Sequence, residues 1–145
     1  MKIQEQDQYH GAALTQIVEH ESFKALNRAS EKYGHYLVNT DKHVFVKYRT
    51  ANRSPWTFTV QPDELAAIKT ETDQDHEVFL CLVCGGKTVC ALNSEEIKNV
   101  IDSSSQNPQS VRVEVPKGGS CHVSGSVGAL KRTVPHNSFP NKVFV

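Results

Sequence analysis

The segment Val78–Leu92 constrains the fold most. Phe79–Cys84 and Thr88–Leu92 are apolar runs on either side of Gly85-Gly86, the pattern of a tight β-hairpin. Both faces of each run are apolar, so the hairpin has to lie centrally and be covered on both sides. The run Val78–Cys84 is the longest apolar stretch in the chain. It suits a buried strand and is far too short to span a bilayer, so no membrane association is expected. A chain of 145 residues buries roughly two-thirds of its unfolded surface, enough for one core. A single domain over 1–145 is expected.

The elements around the hairpin can be read from periodicity. Leu14, Ile17 and Val18 make the apolar side of a first helix starting near Gly11. A break near His20–Ser22 then predicts a second short helix, capped by Ser22, carrying Phe23 and Leu26 and ending at Gly34. His35–Asn39 and His43–Arg49 read as a hairpin. With Thr40-Asp41 as a two-residue loop, Tyr36 faces Phe45, and Val38 faces His43. One sheet face then holds Leu37, Val44, Val46 and Tyr48. Tyr36, Val38, His43, Phe45, Lys47 and Arg49 share the other.

Trp56–Val60 alternates cleanly, with Trp56, Phe58 and Val60 inward. Pro62 opens a helix with Leu65 and Ile68 on its apolar side, and residues 71–77 read as a solvated connection. Asn93-Ser94-Glu95-Glu96 is a capping box ahead of Ile97, Val100 and Ile101. Strands near Val111–Val115 and Cys121–Ser126 follow, and the tail from Leu130 has no clear period. The prediction is an α+β fold, a mostly antiparallel sheet with helices packed on it, in the order α-βββ-α-ββ-α-ββ.

Chemistry is sparsely signalled. Cys81-x-x-Cys84 resembles a metal or redox motif. On a strand, however, an offset of three puts the two thiols on opposite faces, and no helix start follows. Buried, reduced thiols are expected, with Cys81 opposite Cys90 if Gly85-Gly86 is the whole loop. The seven histidines form no His-x-x-x-His pair and read as scattered, so no metal ligand set and no cofactor are expected. No Gly-x-Ser-x-Gly elbow or phosphate-cradling loop is present. With no signal peptide at the N-terminus, a cytoplasmic location is expected.

Charge is balanced overall at 16 basic and 16 acidic residues, which argues against a domain devoted to wrapping nucleic acid. Locally, Lys42, Lys47, Arg49 and Arg53 lie in an acid-free stretch from Lys42 to Pro62. Such a strand face can meet the phosphates of nucleic acid or an acidic protein partner.

A helix, three antiparallel strands, a helix and another strand, spanning about residues 11–92, resemble the core of the restriction-endonuclease-like PD-(D/E)XK superfamily. That resemblance implies a Mg²⁺-dependent nuclease, with Glu19, Asp41 and Lys47 as the candidates for catalysis. The acid that the pattern places two residues before the lysine is Phe45 here. The chain also resembles a family of small uncharacterised bacterial proteins through Gly11–Ile17, Val46–Tyr48 and Phe79–Cys84, a resemblance that implies no activity. The expectation is a binding or accessory module, as in a bacterial defence or mobile-element system, acting through the basic strand face. An atypical or degenerate nuclease is the alternative.

Overall fold

The computed structural model describes residues 2–145 as an α+β domain. Three helices, α1 (Glu5–Val18), α2 (Pro62–Asp73) and α3 (Ser94–Val100), accompany two sheets. The larger sheet runs β1-β2-β3-β5-β6, from β1 (Leu26–Arg28), β2 (His35–Val38), β3 (Lys42–Arg49), β5 (Glu77–Cys84) and β6 (Thr88–Leu92). The smaller runs β4-β7-β8-β9, from β4 (Trp56–Val60), β7 (Gln109–Glu114), β8 (His122–Gly125) and β9 (Gly128–Ala129). All pairings are antiparallel except β3 with β5, whose connection passes through β4 and α2. No helix among the described residues is long and apolar enough to cross a membrane.

The apolar hairpin is covered on both faces, as its sequence requires. On one face Val44, Val46, Phe79, Cys81, Val83, Val89 and Ala91 pack against Ala13 and Ile17 of α1, with Phe139 and Val143 from the tail. On the other, Phe45, Leu80, Leu82, Cys84, Cys90 and Leu92 meet α2, α3 and the second sheet through Leu65, Ile97, Phe58 and Val111. The strand Trp56–Val60 alternates inward and outward as its sequence predicts, but it belongs to the second sheet.

Several details depart from the sequence reading. α1 starts six residues before Gly11, where Gln4 and Asp7 form a capping box. Its buried residues are His10, Ala13 and Ile17, while Val18 is exposed. No second helix follows. The Asn39 side chain accepts from the backbone N–H groups of Lys24 and Ala25 at 2.6 and 3.1 Å and donates to the Ser22 carbonyl at 2.8 Å. Backbone groups that a helix would use internally are thereby taken, and Leu26–Arg28 zips onto β2 instead.

Both hairpin loops are one residue longer than expected. In the first, Val38 pairs with Lys42 across Asn39-Thr40-Asp41, with Asn39 and Thr40 at positive φ. Tyr36 therefore faces Val44, and His35 faces Phe45. A one-residue slip exchanges every side chain between faces. His35 and Leu37, rather than Tyr36 and Val38, thus share a face with His43, Phe45 and Lys47.

In the second hairpin Gly85 still donates to the Arg49 carbonyl at 2.8 Å, extending the β3 pairing by one residue. Its φ is +56°, and a Cβ there would collide with the Ala51 carbonyl, so glycine is required. Cys90 consequently faces Leu82, and Cys81 lies in the other core.

All four cysteines are free and buried. Burial pushes the Cys81 and Cys84 thiols up to about 12, and a hydrogen bond with Cys121 together with burial raises Cys90. These three thiols are unreactive, since the thiolate is the reactive form; the same hydrogen bond lowers Cys121, whose full burial keeps it from reagent. Native protein with an aromatic disulfide reagent is expected to release no rapid thiol equivalents, all four reacting only in denaturant. Fast labelling of even one would show that the core opens locally.

Candidate metal centre

The first turn's register creates this site. His35 on β2 and His43 on β3 become diagonal neighbours on one sheet face, close enough for long side chains to meet. α2 crosses that face, fixed at its start by Pro62 and by Glu64, which accepts from the Gln61 N–H at 3.0 Å. The helix runs on to Asp73, so Glu71 is a helical residue over the histidines and not part of a solvated loop.

The side chains form a continuous row. Ser30 Oγ is 3.0 Å from His35 Nδ1, and His35 Nε2 is 3.0 Å from His43 Nδ1. His43 Nε2 lies 3.5 Å from Glu71 Oε1, and His76 Nδ1 lies 2.9 Å from that same oxygen. The His35 ring stacks on Phe45 at 4.0 Å, and the His43 ring on His76 at 5.1 Å. His35 and His43 are 3% and 9% exposed, so their orientation is set by packing as well as by hydrogen bonds.

The partners order the protons. Glu71 only accepts, so a proton on His43 Nε2, 3.5 Å from its oxygen, faces it favourably and leaves Nδ1 to accept from His35. His35 then donates from Nε2 and accepts from the Ser30 hydroxyl at Nδ1. Two neutral imidazoles satisfy the whole row. Burial, reinforced by His43 and Lys32 and opposed by Glu71, lowers His35 from 6.5 to about 4. Burial also lowers His43, against the opposing pull of Glu71.

Neutral imidazole is the form that binds metals. His35, His43 and Glu71 each offer a ligand atom, and these atoms lie within 4.8 Å of one another. Tetrahedral zinc, with bonds of about 2.0–2.1 Å, needs ligand atoms roughly 3.3 Å apart. The 3.0 Å separation of the two ring nitrogens is close to that value. His43 meets His35 through Nδ1 and Glu71 through Nε2, so an ion held by all three residues requires the His43 ring to turn one nitrogen towards both partners. Two imidazoles and one carboxylate suit zinc and its transition-metal neighbours, whereas Mg²⁺ wants oxygen. The site opens into a groove of about 280 Å³ lined by Ser30, Lys32, His35, Ala67, Thr70 and Glu71, among others.

The residues singled out from the sequence fall elsewhere. Lys47 shares the histidines' face, but its amine is bonded to both Glu64 carboxylate oxygens, at 2.7 and 3.0 Å. Lys42 pairs with Glu77 at 2.9 Å. Arg49 and Arg53 are exposed, at the end of β3 and in the loop after it. Glu19 caps the C-terminus of α1, beside Thr15, His20 and Asn141. Asp41 lies in the first hairpin turn, six residues from Lys47, a span of roughly 20 Å along a strand. Glu19, Asp41 and Lys47 thus have separate surroundings, whereas His35, His43 and His76, read as scattered, are gathered around Glu71. Neighbouring β-strands and a crossing helix bring these residues together, so no short sequence spacing announces the group.

Comparison with known proteins found no matching family model, no matching curated protein and no matching solved structure.

Proposed function

We propose that this protein binds one divalent transition-metal ion, zinc fitting best, through His35, His43 and Glu71. The observation that carries the reading is the convergence of two buried imidazoles and a carboxylate within 4.8 Å. Two histidines and a glutamate make up a ligand set that leaves a coordination position open, here towards the groove beside Ser30 and Lys32. A metal with an open position is a Lewis acid, so a ligand entering the groove with an anionic oxygen is the matching chemistry.

The test is titration of EDTA-stripped protein with Zn²⁺ and with Co²⁺, read by calorimetry and by the visible Co²⁺ band. One equivalent is expected to bind, with proton release and a tetrahedral-type spectrum, and both signals should vanish in His43→Ala and Glu71→Gln. Substoichiometric binding, or binding indifferent to both substitutions, rejects the centre.

A second reading keeps the chain as a binding or accessory module on a nuclease-like core. In chain order α1, antiparallel β1–β3, then β4 of the second sheet, α2 and β5 parallel to β3 support it. With Phe45 at the acidic position, such a core recognises nucleic acid or an acidic partner without cleaving it, through Arg49 and Arg53. Mg²⁺ belongs only to the nuclease alternative.

A further inference from the structure

At the end of the β1–β2 hairpin, sharing Lys32 and His35 with the proposed metal groove, lies a recess of about 290 Å³. Arg28, Lys32, Tyr33, Gly34, His35 and Tyr36 line it. Two cations, two phenols and an imidazole surround the space, and no carboxylate is among the lining residues. Arg28 makes no ion pair among the described residues, while Lys32 is held by the exposed carboxylate of Asp63 at 2.7 Å. Tyr33 leaves 73% of its surface in water, the most exposed aromatic ring of the described chain.

We propose that this recess binds a single phosphate-bearing nucleotide, with the phosphate on Arg28 and Lys32 and the base against Tyr33. Each part has a physical reason. A guanidinium without a carboxylate partner offers its fork of N–H donors to phosphate oxygens. A tyrosine ring held in solvent beside cations is the stacking platform used for unpaired bases, worth ~1–3 kcal/mol per base. The volume of about 290 Å³ lies just under the range of ligand sites, about 300 to 1,000 Å³, so it suits no more than one nucleotide. Lys32 and His35 line both the recess and the groove over Glu71, which puts a bound phosphate at the mouth of the proposed metal centre. The recess itself needs no ion, because Arg28 and Tyr33 lie outside the row from Ser30 to His76.

The nucleotide is either free or the end of a strand, and competition separates the two sources. Binding of a fluorescent 5′-phosphorylated tetranucleotide is measured by anisotropy in EDTA, with competition by adenosine monophosphate, adenosine and phosphotyrosine. The phosphorylated probe is expected to bind, with removal of its phosphate weakening it about tenfold. Arg28→Ala and Tyr33→Ala, both at exposed positions, should each weaken it by a similar factor. Arg28→Ala should also reduce the salt dependence by about one phosphate contact. Effective competition by the monophosphate assigns a free nucleotide, and its failure to displace the bound tetranucleotide assigns a strand end. No binding, binding unchanged in both variants, or a preference for phosphotyrosine overturns the proposal. Because no ion is present, these results stand apart from success or failure of the metal titration.

Discussion

Phe45→Glu is expected to unfold the domain at neutral pH. This substitution restores the acid that the nuclease-like pattern places two residues before Lys47, so it tests that reading as well as stability. Phe45 is 7% exposed, stacks on His35 at 4.0 Å and pairs in register with Leu80 of the central strand. Losing a buried phenyl ring alone costs about 3–5 kcal/mol. A carboxylate there also needs a cation, and the lysine two residues along already holds Glu64 at 2.7 Å. Left unpaired, the charge adds several kcal/mol. The sum approaches the total stability of a typical domain, ~5–15 kcal/mol. Circular dichroism and urea unfolding measure it, with Phe45→Leu as the conservative control, expected to fold and lose on the order of 1–2 kcal/mol. A folded Phe45→Glu protein with a nearly unchanged urea midpoint would mean that the carboxylate finds a partner. The Mg²⁺-dependent alternative would then regain its missing ligand.

Turn chemistry explains much of what was legible in this sequence and what was not. The covered apolar hairpin, the alternating strand from Trp56, the Pro62 helix start and the Asn93–Glu96 capping box are local signals, and each is found in the structure. The candidate site depends instead on a single residue of loop length. Thr40-Asp41 supplies acceptable turn residues, but Asn39 also enters the loop at positive φ because its side chain holds the Ser22–Ala25 segment. That contact is more than ten residues away in sequence and leaves no periodic trace. Counting the loop as three residues would have moved His35 onto the face of His43. Glu71 was hidden for another reason: the polar run at residues 71–77 looks solvated, yet helix α2 carries one of its acids back over the sheet. On the charged strand face, the acids that pair with Lys42 and Lys47 come from β5 and α2, distant in sequence, so the pairing left no local trace.

Acidification is expected to remove about 2–3 kcal/mol of stability between pH 6.5 and 4.5, before most carboxylates titrate. In the folded protein His35 is depressed to about 4 from its ordinary 6.5. Between those values the unfolded chain takes up a proton that the folded chain refuses. The stabilisation is therefore complete above pH 6.5 and is lost as pH falls towards the folded value. His43, also depressed by burial, adds in the same direction.

The structural cause lies in the proton order of the row. A second proton on His35 converts Nδ1 into a donor facing Ser30 and places positive charge beside Lys32. It also puts a cation against His43, whose only nearby carboxylate already serves His76. Urea unfolding at pH 7.5, 6.0 and 4.5 measures the loss in metal-free protein. His35→Gln keeps a donor for His43 Nδ1 but has no proton to gain, so it should be less stable at pH 7.5 and flatter across the range. Adding Zn²⁺ should raise stability at pH 7.5 and steepen its fall, because the ion competes with protons for the same nitrogens. If wild type and His35→Gln lose stability equally between pH 6.5 and 4.5, the buried histidine pair is not what couples this fold to protons. A zinc effect absent at every pH would, in addition, count against the ligand set itself.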